Sequence, residues 1–491
     1  MPQSKNFLAF DLGASSGRAV IGRYNGSTID LEEIHRFPNG ATELPGGLYW
    51  DALGLFSEIL TGLRQANSTA GGIVSAGLDT WGVDFGLLDK SGELIGIPHC
   101  YRDSRVDGMM DTAFETVPRD RLFDATGIQF MPFNSIFQLL SMVRSGSPHL
   151  DIAETFLTMP DLFNYWLTGT KACEFSIATT TQCYDPRKGS WANGILDELN
   201  IPTHIFPEIV APGTSLGTIR PSVAGELGVP ELNVIAPACH DTGSAVAAVP
   251  MTSNDALYIS LGTWALMGAE IDEPAIDVKT LGYNFTNEGG VNGTYRFLKN
   301  IAGLWLVQES KRTWDLAGNE LSFDELTSRA QQSAPLVSLI DPDDPDFVAP
   351  GDMPSRIRAF CERTGQPVPQ DEGAIVRCAL DSLSLKCRTV LGSIQDALGK
   401  TFSTIHIVGG GIQNKLLCQL IADATGLEVQ AGPVEATALG NILVQAIAAG
   451  EIADLQQARE VVRASTPIQS YTPQASSAWN EASDRFSELL G

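Results

Sequence analysis

Four short loops of this chain combine residue types that handle phosphate oxygens or protons. The first reads Asp11-Leu12-Gly13-Ala14-Ser15-Ser16-Gly17-Arg18. Small residues let backbone N–H groups close on phosphate oxygens, serine hydroxyls donate further hydrogen bonds, and Arg18 brings charge. Asp11, at the end of an apolar run, is placed to hold a magnesium ion through water. The same residues also describe a β-hairpin with a serine-rich turn and a solvated arginine. The second loop, Gly262-Thr263, occurs in a similar setting about half the chain later. The third is Gly409-Gly410-Gly411-Ile412-Gln413-Asn414. Its bare backbone could lie flat against an adenine, or simply turn tightly into a helix. A dinucleotide fingerprint fits poorly, because Asn414 stands where the third glycine belongs. The fourth is His240-Asp241-Thr242. A carboxylate at the carboxyl end of a strand can serve as a general base, and Asp or Thr there can equally cap a helix.

Other motifs fail on inspection. Gly399-Lys400-Thr401 lacks a P-loop's first glycine, since position 394 is Ile, and Gly399 reads more simply as a helix end. No Gly-x-Ser-x-Gly or His-Glu-x-x-His occurs, and the six histidines form no metal-spaced pair. Asp341-Pro342-Asp343-Asp344-Pro345-Asp346 lacks the glycine of a calcium loop and reads as an exposed acidic loop.

These loops need elements to hold them. Phe7-Leu8-Ala9-Phe10 leads into Asp11-Leu12-Gly13, and Ala19-Val20-Ile21 follows. Ala256-Leu257-Tyr258-Ile259 leads into Ser260-Leu261-Gly262, and Ala265-Leu266-Met267 follows. Each reads as a buried strand, a glycine turn and a return strand. The repetition suggests duplication, with two α/β lobes at 1–249 and 250–491. Strands are also expected over 73–78, 233–238 and 405–408. Leu416, Leu417, Leu420, Ile421 and Ala424 share one helical face, which Gly426 can end. Strand, small-residue loop, helix is where α/β sheets place ligands.

Composition narrows the field. The 491 residues include 58 acidic and 32 basic side chains, a formal charge of −26, with 43% hydrophobic residues. That is ordinary globular composition. The acidity opposes a nucleic-acid or anionic-membrane partner, which needs a basic footprint. The opening apolar run is too short for a signal peptide, and no stretch of about 18 apolar residues spans a bilayer. The eight cysteines have no zinc spacing and read as buried thiols of a cytoplasmic protein; Cys361 and Cys378 are the pair that geometry would have to test.

Taken together, the loops resemble the FGGY family of carbohydrate kinases. The resemblance is carried by residues 11–18, 34–37, 79–85, 101–105, 127–129, 159–161, 240–242, 262–268, 298–301, 303–306, 408–414 and 431–436, in order. Asp79-Thr80-Trp81-Gly82-Val83-Asp84-Phe85 is the most specific; the last fifty residues match less clearly. The resemblance implies two actin-like (ribonuclease-H-like) lobes, with ATP and sugar in a cleft that closes on sugar binding. It implies that Ala14, Ser15, Ser16, Gly17, Arg18, Thr263, Gln308 and Gly410 bind ATP. It assigns the sugar to Gly82, His240, Asp241, Thr242 and Asn300, with Asp241 as proton acceptor. It also implies phosphorylation of L-rhamnulose at its 1-hydroxyl with ATP and Mg²⁺, by a monomer or small homo-oligomer. Rival expectations are L-fuculose or a ketopentose as the sugar, a non-catalytic actin-like ATP-binding protein, and a nicotinamide oxidoreductase built on the Gly409 loop. Asp241 speaks against the second, and the missing third glycine against the last. Trp81 or Phe85 would wall a deoxy-sugar's methyl group, unless strand alternation turns them into the core.

Overall fold

Two apolar hairpins start two sheets. The computed structural model describes residues 4–229, 231–474 and 476–490; the opening residues 1–3 lie outside them. The chain divides into two compact units. One comprises Met1–Pro250, Glu270–Phe297 and Ala436–Ser465; the other comprises Met251–Ala269, Leu298–Glu435 and Thr466–Gly491.

In the first unit, β1 (Lys5–Leu12) turns back into β2 (Ser16–Tyr24), followed by β3 (Ile29–Pro38). β4 (Ile73–Thr80), β5 (Ser215–Thr218) and β6 (Asn233–Ile235) complete a six-stranded sheet of order β5-β6-β4-β1-β2-β3. β1, β4 and β6 run parallel. β1 is buried on both faces from Phe7 to Leu12, as its unbroken apolar run demands. The helix Ala52–Thr69 is capped by Asp51, which accepts from Gly54 N at 2.9 Å, and it buries Leu55, Ile59, Leu63 and Ala66 against this sheet. β6 is shorter than the strand expected over 233–238. Pro237 has no N–H to extend a ladder, so the pairing stops ahead of it.

The helix Ala436–Ala448 returns to the same unit and brings two amides into its interior. Asn441 Nδ2 donates to Asp79 Oδ2 at 2.6 Å. Gln445 Nε2 donates to Leu8 O at 2.9 Å and to Asn441 Oδ1 at 2.7 Å, while its Oε1 accepts from Ser75 Oγ at 2.8 Å. All four polar side chains are buried. Gly77 makes room for them: a Cβ there would stand 2.5 Å from Asn441 Oδ1 and 2.7 Å from Gln445 Nε2.

In the second unit, β7 (Ala256–Leu261) and β8 (Trp264–Ile271) repeat the hairpin. They belong to a seven-stranded sheet whose other strands are β9 (Thr286–Gly289), β10 (Tyr295–Ala302), β11 (Thr404–Val408), β12 (Glu428–Ala431) and β13 (Gln469–Tyr471). Its order is β9-β10-β8-β7-β11-β12-β13; β9 and the start of β10, up to Phe297, are counted in the first unit. β7 and β11 run parallel, with Ser260 opposite Val408. The expected helix is Lys415–Thr425; Asn414 caps it by accepting from Leu417 N at 3.0 Å, and Gly426 ends it. Gly399 ends the helix Glu372–Leu398 in the left-handed region, as expected.

The acidic loop is not simply exposed. Lys386 Nζ lies 2.8 Å from Asp341 Oδ1 and 3.0 Å from Asp343 Oδ2, and Asp343 Oδ1 accepts from Ala302 N at 2.8 Å. A nearly buried ammonium has drawn two of the aspartates inward. All eight cysteines are buried free thiols, Cys361 and Cys378 included. Among the described residues no helix is long and apolar enough to cross a membrane.

Gly77→Ala is expected to lower stability by about 1–3 kcal/mol, the usual cost of overpacking a filled interior. Urea unfolding followed by tryptophan fluorescence checks this; an unchanged midpoint would show that the two amides can move aside.

Candidate active site

In the first unit three chain segments end side by side. Asp11 pairs with Asp79 and Leu12 with Thr80 in the parallel ladder. Thr80 N donates to Cys239 O at 2.9 Å, and Trp81 N to Leu12 O at 3.2 Å. The turns after Leu12, Thr80 and Cys239 therefore share one carboxyl edge, where open α/β sheets bind ligands. This brings Asp11, the Gly13 turn, Gly82, His240 and Asp241 to one place.

The first turn is preformed. Gly13 N donates to Ser16 O at 2.9 Å, while Asn39 holds Gly13 O at 2.7 Å and Ser15 O at 3.1 Å. Ala14 and Ser15 are exposed, and their amides take no partner among the described residues. Gly17 and Arg18 belong to β2 rather than to the turn. Gly17 is glycine because the Phe37 ring covers it. Arg18 is not a solvated side chain: its Nε and Nη2 reach Asp11 Oδ2 at 3.0 and 2.7 Å.

Asp241 opens the helix Asp241–Ala247, and His240 is the residue before it. Asp241 Oδ1 accepts from Thr242 N at 2.5 Å and Thr242 Oγ1 at 3.1 Å. It thus supports the first turn of the helix while about 30% of its side chain stays open. Burial raises its pKa, His240 opposes the rise, and Asp11 adds to it. A Cβ on Gly82 would stand 3.2 Å from Thr180 Oγ1 and 3.4 Å from His240 Nε2. Trp81 and Phe85 are both turned into cores, at 5% and 6% exposure, so neither offers a free apolar wall.

In the second unit the duplicated turn gathers a second set. Thr263 Oγ1 donates to Gln308 Oε1 at 3.0 Å, from the helix Trp305–Leu316. Thr263 O accepts from Gly303 N at 3.0 Å and Trp305 N at 3.2 Å. Gly409 and Gly411 press against Leu261, leaving no space for a Cβ, whereas a Cβ on Gly410 would meet nothing. The Gly262 and Gly409 turns thus lie together at the carboxyl ends of β7 and β11. Asn300 is half-buried on β10.

Residues 6–248 match the N-terminal domain, and residues 257–449 the C-terminal domain, of the FGGY family of carbohydrate kinases. The chain belongs to that family. A rhamnulokinase from Bacteroides thetaiotaomicron is 42% identical over 486 residues, covering 99% of both chains. Another from Halalkalibacterium halodurans is 43% identical over 464 residues, 94% of this chain and 98% of that protein. A ligand-bound xylulose kinase from Lactobacillus acidophilus superposes with a TM-score of 0.80 at 15% identity, over 99% of this chain and 96% of the other. Plasmodium falciparum glycerol kinase with ADP gives 0.78 at 14%, over 99% and 98%. The fold is α/β, with the two actin-like (ribonuclease-H-like) lobes of the FGGY kinases. The protein is a carbohydrate kinase, an ATP-dependent phosphotransferase acting on an alcohol group.

Several residues of this FGGY kinase's edge escaped sequence reasoning. Asp79 lies beside Asp11 and is wholly buried, and its Oδ1 has no partner among the described residues. Burial and then Asp11 drive its pKa well up, against the Asn441 hydrogen bond. Its signal was the shared pattern of an apolar run ending in Asp, which a parallel register would align. Asp84 accepts from Trp50 Nε1 at 2.6 Å, Trp81 Nε1 at 2.9 Å, Tyr101 N at 3.1 Å and Gln138 Nε2 at 3.0 Å. Burial still pushes it up to about 6 against these donors. These bonds fix the loop that carries Gly82. Glu288 and Arg296 pack behind His240 from 48 and 56 residues away, with no local signal.

Asp84→Ala should strand several buried donors. At about 1–3 kcal/mol for each unsatisfied group, a loss of at least ~3 kcal/mol is expected. Thermal unfolding measures it; a shift comparable to that of an exposed Asp→Ala control would mean that water replaces the carboxylate.

Proposed function

We propose that the protein transfers the γ-phosphoryl group of ATP to the 1-hydroxyl of L-rhamnulose, giving L-rhamnulose 1-phosphate and ADP, in rhamnose catabolism. One observation carries the catalytic part: Asp241 is a partly open carboxylate of raised pKa beside His240, at the edge that also holds Gly82. The choice of sugar rests on the rhamnulokinases that match nearly the whole chain at just over 40% identity.

In this reading Asp241 accepts the proton of the sugar hydroxyl as that oxygen attacks phosphorus and the bond to ADP breaks. A carboxylate of raised pKa is the stronger base, which suits the task. Gly82, His240, Thr242 and Asn300 hold the sugar; Gly82 does so as bare backbone that carbon atoms can approach. The free amides of Ala14 and Ser15, with the hydroxyls of Ser15 and Ser16, donate to phosphate oxygens. Gly17, on β2 just after that turn, leaves room for the Phe37 ring beside it. Arg18 contributes charge already shared with Asp11. Thr263, Gln308 and Gly410 serve the nucleotide, Gly410 as the open face of its turn.

No cluster of three or more metal-ligating side chains occurs among the described residues. A Mg²⁺ ion bound through Asp11 and water fits that donor set, because magnesium keeps most of its waters and takes few protein ligands. When bound it screens the phosphate charge. ATP as co-substrate places the reaction in the cytoplasm, and the charge of −26 opposes a nucleic-acid partner.

A coupled ADP-release assay across ketoses and aldoses tests the sugar. L-Rhamnulose should give the highest kcat/KM; faster turnover of L-fuculose or a ketopentose would reassign the substrate, and no turnover of any sugar would remove the catalytic reading. Asp241→Asn should keep the fold and the sugar affinity yet lose roughly 10²–10⁴-fold in kcat, the usual worth of a general base. More than half of the wild-type rate would reduce Asp241 to a helix-supporting residue. The base must be ionised, so kcat/KM should fall with acidification through a pKa above the ordinary 3.8 of an aspartate. A profile flat down to that value would contradict the raised pKa.

A further inference from the structure

His240 is held from behind by two buried charges of the same unit. Its Nδ1 lies 3.1 Å from Arg296 Nη2 and 3.3 Å from Glu288 Oε2. Arg296 is wholly buried on β10; its Nε donates to Gly289 O at 2.8 Å, and its Nη1 lies 3.2 Å from Glu288 Oε2. Glu288, on β9, is 5% exposed. Burying two charges is costly even when they are paired.

The two neighbours make opposite demands on the imidazole. A guanidinium only donates, so an Arg296 N–H aimed at Nδ1 needs a bare lone pair there. An ionised carboxylate only accepts, so Glu288 would favour a proton on Nδ1. The geometry decides between them. The contact from Arg296 Nη2 to Nδ1 is a formed hydrogen bond, whereas Glu288 Oε2 has no hydrogen-bond partner among the described residues. Burial works to raise the Glu288 pKa, but the Arg296 charge and His240 outweigh it and hold the carboxyl ionised. Glu288 therefore offsets the arginine's charge, while the Arg296 N–H occupies the Nδ1 lone pair.

We infer that Arg296 is a positioning residue: it fixes His240 as the tautomer protonated on Nε2, so that this N–H donates to an oxygen of the bound sugar. Nε2 is the nitrogen that faces Gly82, 3.4 Å from where a side chain there would begin, and it lies 3.3 Å from Asp241 Oδ1. With the tautomer reversed, Nε2 would present a lone pair to the same sugar oxygen and could only accept. The inference rests on the reading of His240 as a sugar contact.

Long-range ¹H–¹⁵N correlation spectra of the labelled full-length protein report the tautomer directly. Only six imidazoles are present, and the signal missing in His240→Gln identifies the relevant one. The wild type is expected to show Nε2–H. The double variant Arg296→Met/Glu288→Met replaces the ion pair with apolar side chains of similar size, which folds commonly tolerate. It should lose the single tautomer and raise the KM for sugar roughly tenfold, the scale of one hydrogen bond, with the KM for ATP unchanged. Glu288→Gln alone should keep Nε2–H. A wild-type Nδ1–H signal, a switch of tautomer in Glu288→Gln, or an unchanged sugar KM in the double variant would overturn the inference. The spectra need no sugar, so failure of every ketose in the assay would remove the proposed function while the tautomer was still read.

Discussion

Crowded carboxylates are the constraint around which the first unit is arranged. Asp11 and Asp79 are brought into register by a parallel ladder, and Asp241 comes close enough to feel Asp11. Like charges at such range in a protein interior are expensive unless each is answered. The answers differ. Asp11 is paired with Arg18 across the hairpin. Asp241 accepts from the first turn of its own helix and keeps an open face. Asp79 receives one amide from Asn441, and its raised pKa favours the proton-bearing form. Three aspartates on one edge are thereby given three chemical settings: an ion-paired carboxylate, a partly open base and a wholly buried acid whose pKa is driven up.

Much of this edge could be read from the sequence. The two hairpins, the glycine turns and the helix after Asn414 are local features, in which a few adjacent residues set the backbone. The register of Asp11 with Asp79 was within reach for the same reason, since two apolar runs both end in Asp. The exclusion of a P-loop at Gly399 also came from local chemistry, because Ile394 stands where the motif needs a glycine; in the structure Gly399 ends its helix.

The remainder was hidden because it is set by tertiary contacts. Asp84 looked like one polar residue in a motif, yet donors from Trp50, Tyr101 and Gln138 converge on it. The acidic loop looked solvated, yet Lys386 lies beside it through a helix more than forty residues later. β6 stopped short because pairing, and not hydrophobicity, limits a strand that meets proline. Arg18 looked free because the sequence does not show that Asp11 stands opposite it. In each case burial made an otherwise ordinary polar group demand a partner, and that partner came from a distant part of the chain.

The route of the chain has a consequence for its synthesis. The helix Ala436–Ala448 supplies the amides that satisfy Leu8 O, Ser75 and Asp79. A ribosome that has finished β4 must still make some 360 residues before Asn441 emerges, roughly 20–70 s at ordinary elongation rates. Through that interval the first sheet exists without its closing helix: a buried-type carboxylate lacks its amide, and the groove that Gly77 keeps open is bare. The first sheet therefore waits as an incomplete core, exposed to chaperones and proteases, and its final closure is a late event tied to residues made long after its strands.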